Sequence, residues 1–465
     1  MMNKVLWICN IMLPAIGREL NMPCSNREGW LSGIFERAQK KEAPFTLGIC
    51  FPMEEFPMGK FPVEGGETKS GRVGKFSVRG AACYAFAENL KTPEVYDAGM
   101  EEAFRKIFRD FEPDIIHVFG TEFPHALAAV KAFGKPERTL IGIQGLCGEI
   151  AKVYMAGLPE KVQRQVTFRD IIRKDSIRRQ QEKFIRRGEN EAEAIRGCKN
   201  ITGRTCFDRE GTAKLNPDAG YYPMNETLRS EFYEGEWRPE ECEPHSIFLG
   251  QGDYPLKGMH FVLGAMAGLV SKYPDCKLYV AGNSVISHAT LKEKLKLPAY
   301  GKYLLKLIKQ HGLEKHVVML GKMDACEMKE RYLKSSVFVC ASILENSPNT
   351  VGEAQLLGVP VAASFAGGIP DMITDGVDGL LFPVGNEKKL AEAVEKLWDK
   401  EPDERGLCLA ERISTRERQR ARTVHDGEKN YARLIEIYDE IIQKDRLLTE
   451  EKTEKDYVKK DKFSG

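Results

Sequence analysis

Residues 342–383 read SILENSPNTVGEAQLLGVPVAASFAGGIPDMITDGVDGLLFP. Glu345 follows an apolar run that ends at Cys340. Ser347 then suits the cap of a helix and Pro348 its first position. The amides of Asn349, Thr350 and Val351 would be left unpaired at that helix start, an arrangement that attracts a phosphate through its N–H groups and the helix dipole. Glu353, one turn further in, could receive a pair of sugar hydroxyls. Taken singly, Glu345 reads equally well as a surface acid and Glu353 as an acid that complements the dipole. Their spacing, followed by Gly358-Val359-Pro360-Val361 and Gly367-Gly368-Ile369-Pro370-Asp371, weakens that plainer reading.

Outward from this stretch, short apolar runs alternate with amphipathic ones, the signature of parallel strands joined by helices. In the second half strands are expected at 247–249, 278–281, 317–320, 337–340 and 359–362, with helices at 258–272, 301–311, 325–333 and 350–357. In the first half strands are expected at 5–9, 46–50, 115–119, 140–143 and 201–205. Residues 54–80, rich in Gly, Pro and charge, read as a long loop or a β-hairpin insertion. The pattern predicts an α/β chain of two Rossmann-like, doubly wound domains, 1–235 and 236–430, facing across a cleft. Ligands bind outside the carboxyl ends of such strands. An apolar-striped helix over 431–447 closes the chain. The charged tail, 448–465, has too little apolar surface to offset the cost of ordering and is expected to be unstructured.

The chain has 465 residues, about three times the ~150 of a common domain. Its formal charge of +1 gives no global field for nucleic acid, so none is expected as a partner. Twelve cysteines without a C-x-x-C pair, several inside apolar runs, suit a reducing compartment and argue against a disulfide framework or a cysteine metal site. The N-terminal apolar run is short and broken by Asn10, so it reads as a buried strand, and no run is long enough to cross a membrane. A cytoplasmic protein is expected.

The 342–383 stretch resembles the donor-binding signature of family 4 glycosyltransferases, which have the GT-B architecture. That signature is E-x7-E, a G-x-P-V strand, a G-G-x-P-[ED] loop and D-G-x-x-G, matched here by Glu345 and Glu353, 358–361, 367–371 and 375–379. The resemblance implies that Glu345 contacts hydroxyls of a transferred sugar and that Glu353 holds the ribose of a nucleotide. It also implies that the Asn349, Thr350 and Val351 amides and the Gly367–Gly368 loop approach the diphosphate. The family's G-R-x5-K-G is matched less fully by residues 250–258. Lys257 is kept before Gly258, while Gln251 stands at the arginine position; Arg204 and Arg18 are candidates to supply the missing charge. In the first half, residues 113–119 (PDIIHVF) resemble the family's P-D-[IV]-[IV]-H-x-H strand end. His117 would then lie beside the sugar, with Phe119 at the second histidine. Gly29, before Trp30, resembles the glycine turn that opens the first helix near the phosphates.

By this resemblance the chain is a hexosyltransferase-type enzyme moving a sugar from a nucleotide diphosphate donor to a glycan or lipid-linked acceptor, with retention, in settings such as polysaccharide biosynthesis. No cofactor is expected beyond the nucleotide sugar as co-substrate. The chain contains no D-x-D, so no metal is expected, with Lys257 and helix amides holding the diphosphate instead. Two other readings remain open: a nucleotide-sugar epimerase, which needs no acceptor, and a non-catalytic nucleotide-sugar-binding protein. Residues 166–196 read as one helix dense in Arg and Lys. Either 168–187 lies on an anionic membrane, which would suit a lipid-linked acceptor, or it packs on the core with a solvated basic face.

Overall fold

The run Val5 to Cys9 is apolar on both faces of its strand, so it can only sit inside a sheet covered on both sides. In the computed structural model, which describes residues 2–22, 29–40, 44–56, 62–64 and 69–461, that run is fully buried. It forms most of β1 (Asn3–Cys9), which pairs in parallel with β2 (Phe45–Met53) and β6 (Ile115–Phe119). The register sets Trp7 between Ile49 and His117.

The first sheet adds β3 (Val63–Glu64), β4 (Val73–Val78), β5 (Ala81–Ala87), β7 (Thr139–Gly142), β8 (Asn200–Gly203) and β9 (Gly220–Pro223), in the order β3-β4-β5-β2-β1-β6-β7-β8-β9. The pairs β3–β4 and β4–β5 are antiparallel and the other pairs of this sheet are parallel. Part of the 54–80 segment is thus one arm of a hairpin, β4–β5, whose second arm joins the parallel sheet through β2. Residues 57–61 and 65–68 of that segment lie outside the described residues.

The second sheet holds β10 (Glu243–Leu249), β11 (Lys277–Ala281), β12 (Val317–Gly321), β13 (Ser335–Cys340), β14 (Val361–Ser364) and β15 (Leu380–Phe382). All are parallel, in the order β12-β11-β10-β13-β14-β15. Ten helices matter below: α1 (Gly29–Lys40), α2 (Cys147–Val153), α3 (Phe168–Arg173), α4 (Ile177–Arg196), α5 (Met259–Lys272), α6 (Leu291–Leu295), α7 (Ala299–Gln310), α8 (Asn349–Leu357), α9 (Leu409–Val424) and α10 (Gly427–Asp461).

Two elements differ from the sequence reading. The expected single helix over 166–196 is two. Thr167 and Asp170 form a capping box that starts α3, Lys174 at φ 53° ends it, and Ser176 stands at the cap of α4. Short capping side chains broke a stretch that carries neither Pro nor an early Gly. The last helix also runs on to Asp461, where an unstructured tail was expected from 448. Glu and Lys, which dominate that tail, are good helix formers and can extend a helix already anchored upstream.

The anchor of α10 is buried: Tyr431, Leu434, Ile437, Tyr438, Ile441 and Ile442. This helix follows the second domain in sequence yet packs on the first. Trp7 Nε1 donates to Tyr438 Oη at 2.9 Å, and Arg138 pairs with Asp445 at 2.6 Å.

Candidate functional site

The residue before each domain's helices is fixed by where its strand ends, so the polar groups at the strand ends meet between the sheets. On the second domain, β10 is followed by Gly250–Gly252, Asp253 and a short 3-10 turn, Pro255–Lys257, before α5 begins. Gly258 ends that turn at φ 69°, and a Cβ there would lie 1.9 Å from the Ala341 carbonyl oxygen, so the close approach of the two loops requires glycine. The approach brings Lys257 Nζ within 2.5 Å of Glu345 Oε1, which also accepts from Ser342 Oγ at 2.7 Å. Burial by itself would lower the Lys257 pKa. The Glu345 carboxylate and the nearby Tyr254 outweigh it and hold the ammonium above the usual lysine value.

The Gly367–Gly368 loop lies directly on this pair. Gly368 N donates to the Glu345 carbonyl oxygen at 2.9 Å. A Cβ at Gly367 would sit 2.0 Å from that same oxygen, and one at Gly368 would sit 2.1 Å from the Asn346 carbonyl oxygen.

Helix α8 begins one residue later than expected. Pro348, not Ser347, occupies the cap position, and the Ser347 hydroxyl faces the Met372 sulfur at 3.7 Å. Val351 N already donates to the Pro348 carbonyl at 2.9 Å. The helix start therefore offers Asn349 and Thr350, rather than all three amides, to a ligand.

Glu353 is buried. Its Oε1 accepts from Arg229 Nε and Nη2 at 2.9 and 2.6 Å, while Oε2 has no partner. Burial raises its pKa, and Arg229 opposes that rise. Arg229 comes from the linker between the domains, and nothing in the local sequence marks it as a partner for an acid 124 residues away.

Gln251 donates to Asp253 Oδ1 at 2.9 Å, and Asn283 donates to the other oxygen at 2.8 Å. Neither candidate cation stands in for the missing arginine. Arg204 pairs with buried Glu226 at 2.6 Å, and Arg18 is mostly exposed, 4.0 Å from Glu36. Gly29 opens α1, which a short helix over Pro14–Glu19 precedes in the chain. Further along α1, Gly33 packs on Thr227 and Leu228, just ahead of Arg229.

His117 is the correction on the first domain. It was expected at the cleft, but it sits in the middle of β6, fully buried, stacked on Phe119 and hydrogen-bonded to Tyr438 at 2.8 Å. The Tyr438 hydroxyl accepts from Trp7 and shares its second hydrogen bond with His117 Nδ1. Burial lowers the His117 pKa to about 3, which keeps the ring neutral. The histidine belongs to the contact between β6 and α10.

The groups that do stand at strand ends are Asn10 after β1, Glu122 after β6 and Gln144 after β7. Asn10 Nδ2 donates to Glu122 Oε2 at 3.2 Å, and a Cβ on Gly145 would lie 3.7 Å from Glu122 Oε1. Burial raises the Glu122 pKa against the opposing pull of its backbone, Arg187 and Asn10. Arg187 Nε donates to the Glu122 carbonyl at 2.7 Å. Behind them, buried Glu191 accepts from Thr121 Oγ1 and from the Cys147 and Gly148 amides at the start of α2. Burial lifts its pKa to about 7. The rule that strand ends line the cleft would have found Asn10 and Glu122.

The two sides touch. Asn346 Nδ2 donates to the Gln144 carbonyl at 3.4 Å, Thr205 Oγ1 donates to Asn346 Oδ1 at 2.5 Å, and Cys206 N donates to Asp371 Oδ2 at 2.8 Å. Beside this seam a cavity of about 400 Å³ is lined by both domains, including Arg169, Arg187, Asp253, Lys257, Tyr300 and Glu345. It combines a paired cation and carboxylate on one wall with two further cations, Arg169 and Arg187, on the other, which suits an anionic ligand carrying hydroxyls.

Residues 230–420, in the second half of the chain, match the family model described as Glycosyl transferases group 1. Over 153 residues the chain is 29% identical to a phosphatidyl-myo-inositol mannosyltransferase of Mycobacterium leprae, covering 32% of this chain and 36% of that protein. Over 199 residues it is 26% identical to a D-inositol 3-phosphate glycosyltransferase of Corynebacterium kroppenstedtii, covering 41% and 39% respectively. These matches span little more than a third of the relatives' own length. The fold likeness extends over nearly the whole chain. Sucrose-phosphate synthase from Thermosynechococcus elongatus superposes with a TM-score of 0.59 at 14% identity, over 95% of this chain and 99% of that one. Anabaena HepE in complex with UDP superposes with a TM-score of 0.60 at 14% identity, over 94% and 100%. The two parallel-sheet domains are those of GT-B glycosyltransferase structures.

Proposed function

We propose that the chain is a retaining, metal-independent glycosyltransferase that takes a sugar from a nucleoside diphosphate donor and passes it to a glycan or lipid-linked acceptor. Within the basic stretch 168–187, residues 168–173 would make peripheral contact with a membrane surface. The observation that carries the reading is the Lys257–Glu345 pair, seated under the Gly367–Gly368 loop at the cleft. The donor diphosphate would lie between Lys257 and the Asn349 and Thr350 amides, drawing Lys257 from Glu345 and freeing that carboxylate for sugar hydroxyls. The unpartnered Glu353 Oε2 suits a ribose hydroxyl, with Arg229 holding the other oxygen.

In the step itself the bond from the sugar anomeric carbon to the diphosphate oxygen breaks. The bond from that carbon to the acceptor oxygen forms on the same face, and the acceptor proton passes to the departing phosphate. Lys257 and the helix amides stabilise the charge that develops on the leaving group. Glu122 and Asn10 are the polar groups of the first domain suited to orient the acceptor hydroxyl.

One observation favours a second reading, a nucleotide-sugar-binding protein without turnover. Gln251 is committed to Asp253, and neither Arg204 nor Arg18 takes the arginine position. Incubation of the protein with UDP-, GDP- and ADP-sugars and an acceptor panel, with and without EDTA, separates the two. A product of retained configuration, formed equally in EDTA, supports the transferase. An inverted product or a restored divalent requirement contradicts the mechanism, and binding without turnover supports the second reading.

A further inference from the structure

Helix α3 carries an unusual surface. Val166, Phe168, Ile171 and Ile172 are 55, 61, 62 and 65% exposed, four large apolar side chains within seven residues. Such clusters mark interaction sites on soluble proteins, whereas single exposed apolar residues do not. The helix is nonetheless held in place. Buried Asp170 caps it through Thr167, and Arg169 bridges to Asp175 at 2.8 Å. The apolar side chains are therefore presented by a fixed element. Around them Lys161, Arg164, Arg173, Lys174, Arg178 and Arg179 are exposed.

The second domain supplies a matching element at the same place. Asp170 Oδ2 also accepts from Ala299 N, the first residue of α7, at 3.2 Å. Four residues before Ala299 is Leu295, and a stretch of four residues spans at most about 14 Å. Leu295 and Leu291 of α6 are 52 and 75% exposed, and Lys292, Lys294 and Lys296 beside them are exposed as well. Arg169 and Asp170 from one side, and Val285, Pro298 and Ala299 from the other, line the interdomain cavity that reaches Lys257 and Glu345. The two exposed apolar elements thus flank one entrance to the site.

We infer that α3 and α6 together form a docking face for an anionic lipid bilayer, which sets the mouth of the cleft against the membrane and admits an acceptor carried on a lipid. Charge complementarity selects this occupant, because both elements pair apolar side chains with an excess of Lys and Arg, the composition of interfacial segments. Helix α4 is not the membrane element. Of its apolar residues, Ile177 and Ile195 are buried and Phe184 packs on Tyr154, which leaves Ile185, 47% exposed, as a single apolar side chain rather than a cluster. The inference rests on the transferase reading only for the use made of the membrane.

Co-sedimentation of the full chain with phosphatidylcholine vesicles, with and without phosphatidylglycerol, tests it without donor or acceptor. The expected result is binding to the anionic vesicles alone, weakened by salt. Ile171→Asp with Ile172→Asp, and separately Leu291→Asp with Leu295→Asp, should each reduce it by about tenfold or more. All four sites are exposed, and an unchanged melting temperature in each variant keeps the comparison on the surface itself. Absence of binding to anionic vesicles at low salt overturns the inference, as does binding indifferent to both double variants. A concentration-dependent dimer in mass photometry that the same variants dissolve would assign the face to a second copy and also overturn it. A failure of nucleotide binding in wild type would count against the transferase reading and leave the vesicle result standing.

Discussion

The two sides of the cleft hold their buried acids in different ways. On the second domain the acids are matched by cations: Lys257 meets Glu345 at 2.5 Å, and Arg229 reaches Glu353 from the linker. The acids there are already matched by cations, so a ligand must compete for them. On the first domain, Glu122 and Glu191 are carboxylates whose pKa burial raises, held by amides, a hydroxyl and Asn10, with Arg187 bonded to a backbone carbonyl instead. One wall is organised to take up an anion by exchanging partners. The other holds a polarisable acid in a low-dielectric setting, a property suited to hydroxyl groups.

That contrast is broken most easily at Lys257. Lys257→Ala should lower turnover roughly 100- to 1,000-fold, as removal of a charge stabiliser at a leaving group does; steady-state kinetics with the active donor would read it. An unchanged kcat would place the anion elsewhere. Glu122→Gln should cost less, about 10- to 100-fold in kcat, while leaving donor affinity intact. A loss of donor binding in that variant would erase the division of labour between the walls.

Smaller effects sharpen the comparison away from the site. Tyr438→Phe removes the hydroxyl shared by Trp7 and His117 and should destabilise the fold by about 1–3 kcal/mol with nucleotide binding unchanged, as urea unfolding would report. Turnover lost out of proportion to stability would return His117 to the chemistry. The smallest effect concerns Glu191. Its folded pKa of about 7 lies above the ordinary 4.5, so the folded state keeps a proton that the unfolded chain releases. The contribution is present below pH 4.5 and is lost as pH rises through 7. Glu191→Gln should therefore flatten that part of the profile of melting temperature against pH, and an unaltered slope would refute the assignment.

The contrast also explains what was legible in the sequence. Glu345, Gly367 and Gly368 were readable because one loop and one helix carry them, and backbone proximity within some 25 residues forces their arrangement. Lys257 was readable beside its obligatory Gly258. Arg229 was not, since its partner lies across a domain boundary and only packing brings the two together. On the first domain each polar group sits alone at a different strand end, without a motif. The one local match, His117, points into the sheet beneath α10, a helix more than 300 residues later in the chain. The break between α3 and α4 escaped for a similar reason: the run reads as one helix dense in Arg and Lys, and the cap from Asp170 and the bridge to Asp175 form only in the folded chain.

The central claim is that Lys257 and the start of α8 bind a nucleoside diphosphate. Thermal unfolding of wild type and Lys257→Ala with UDP, GDP and ADP, each with and without EDTA, tests it directly. The account predicts that one nucleotide family raises the wild-type melting temperature in proportion to its occupancy, indifferently to EDTA, and that Lys257→Ala loses the shift. No shift with any diphosphate, or a shift kept in full by Lys257→Ala, would contradict it.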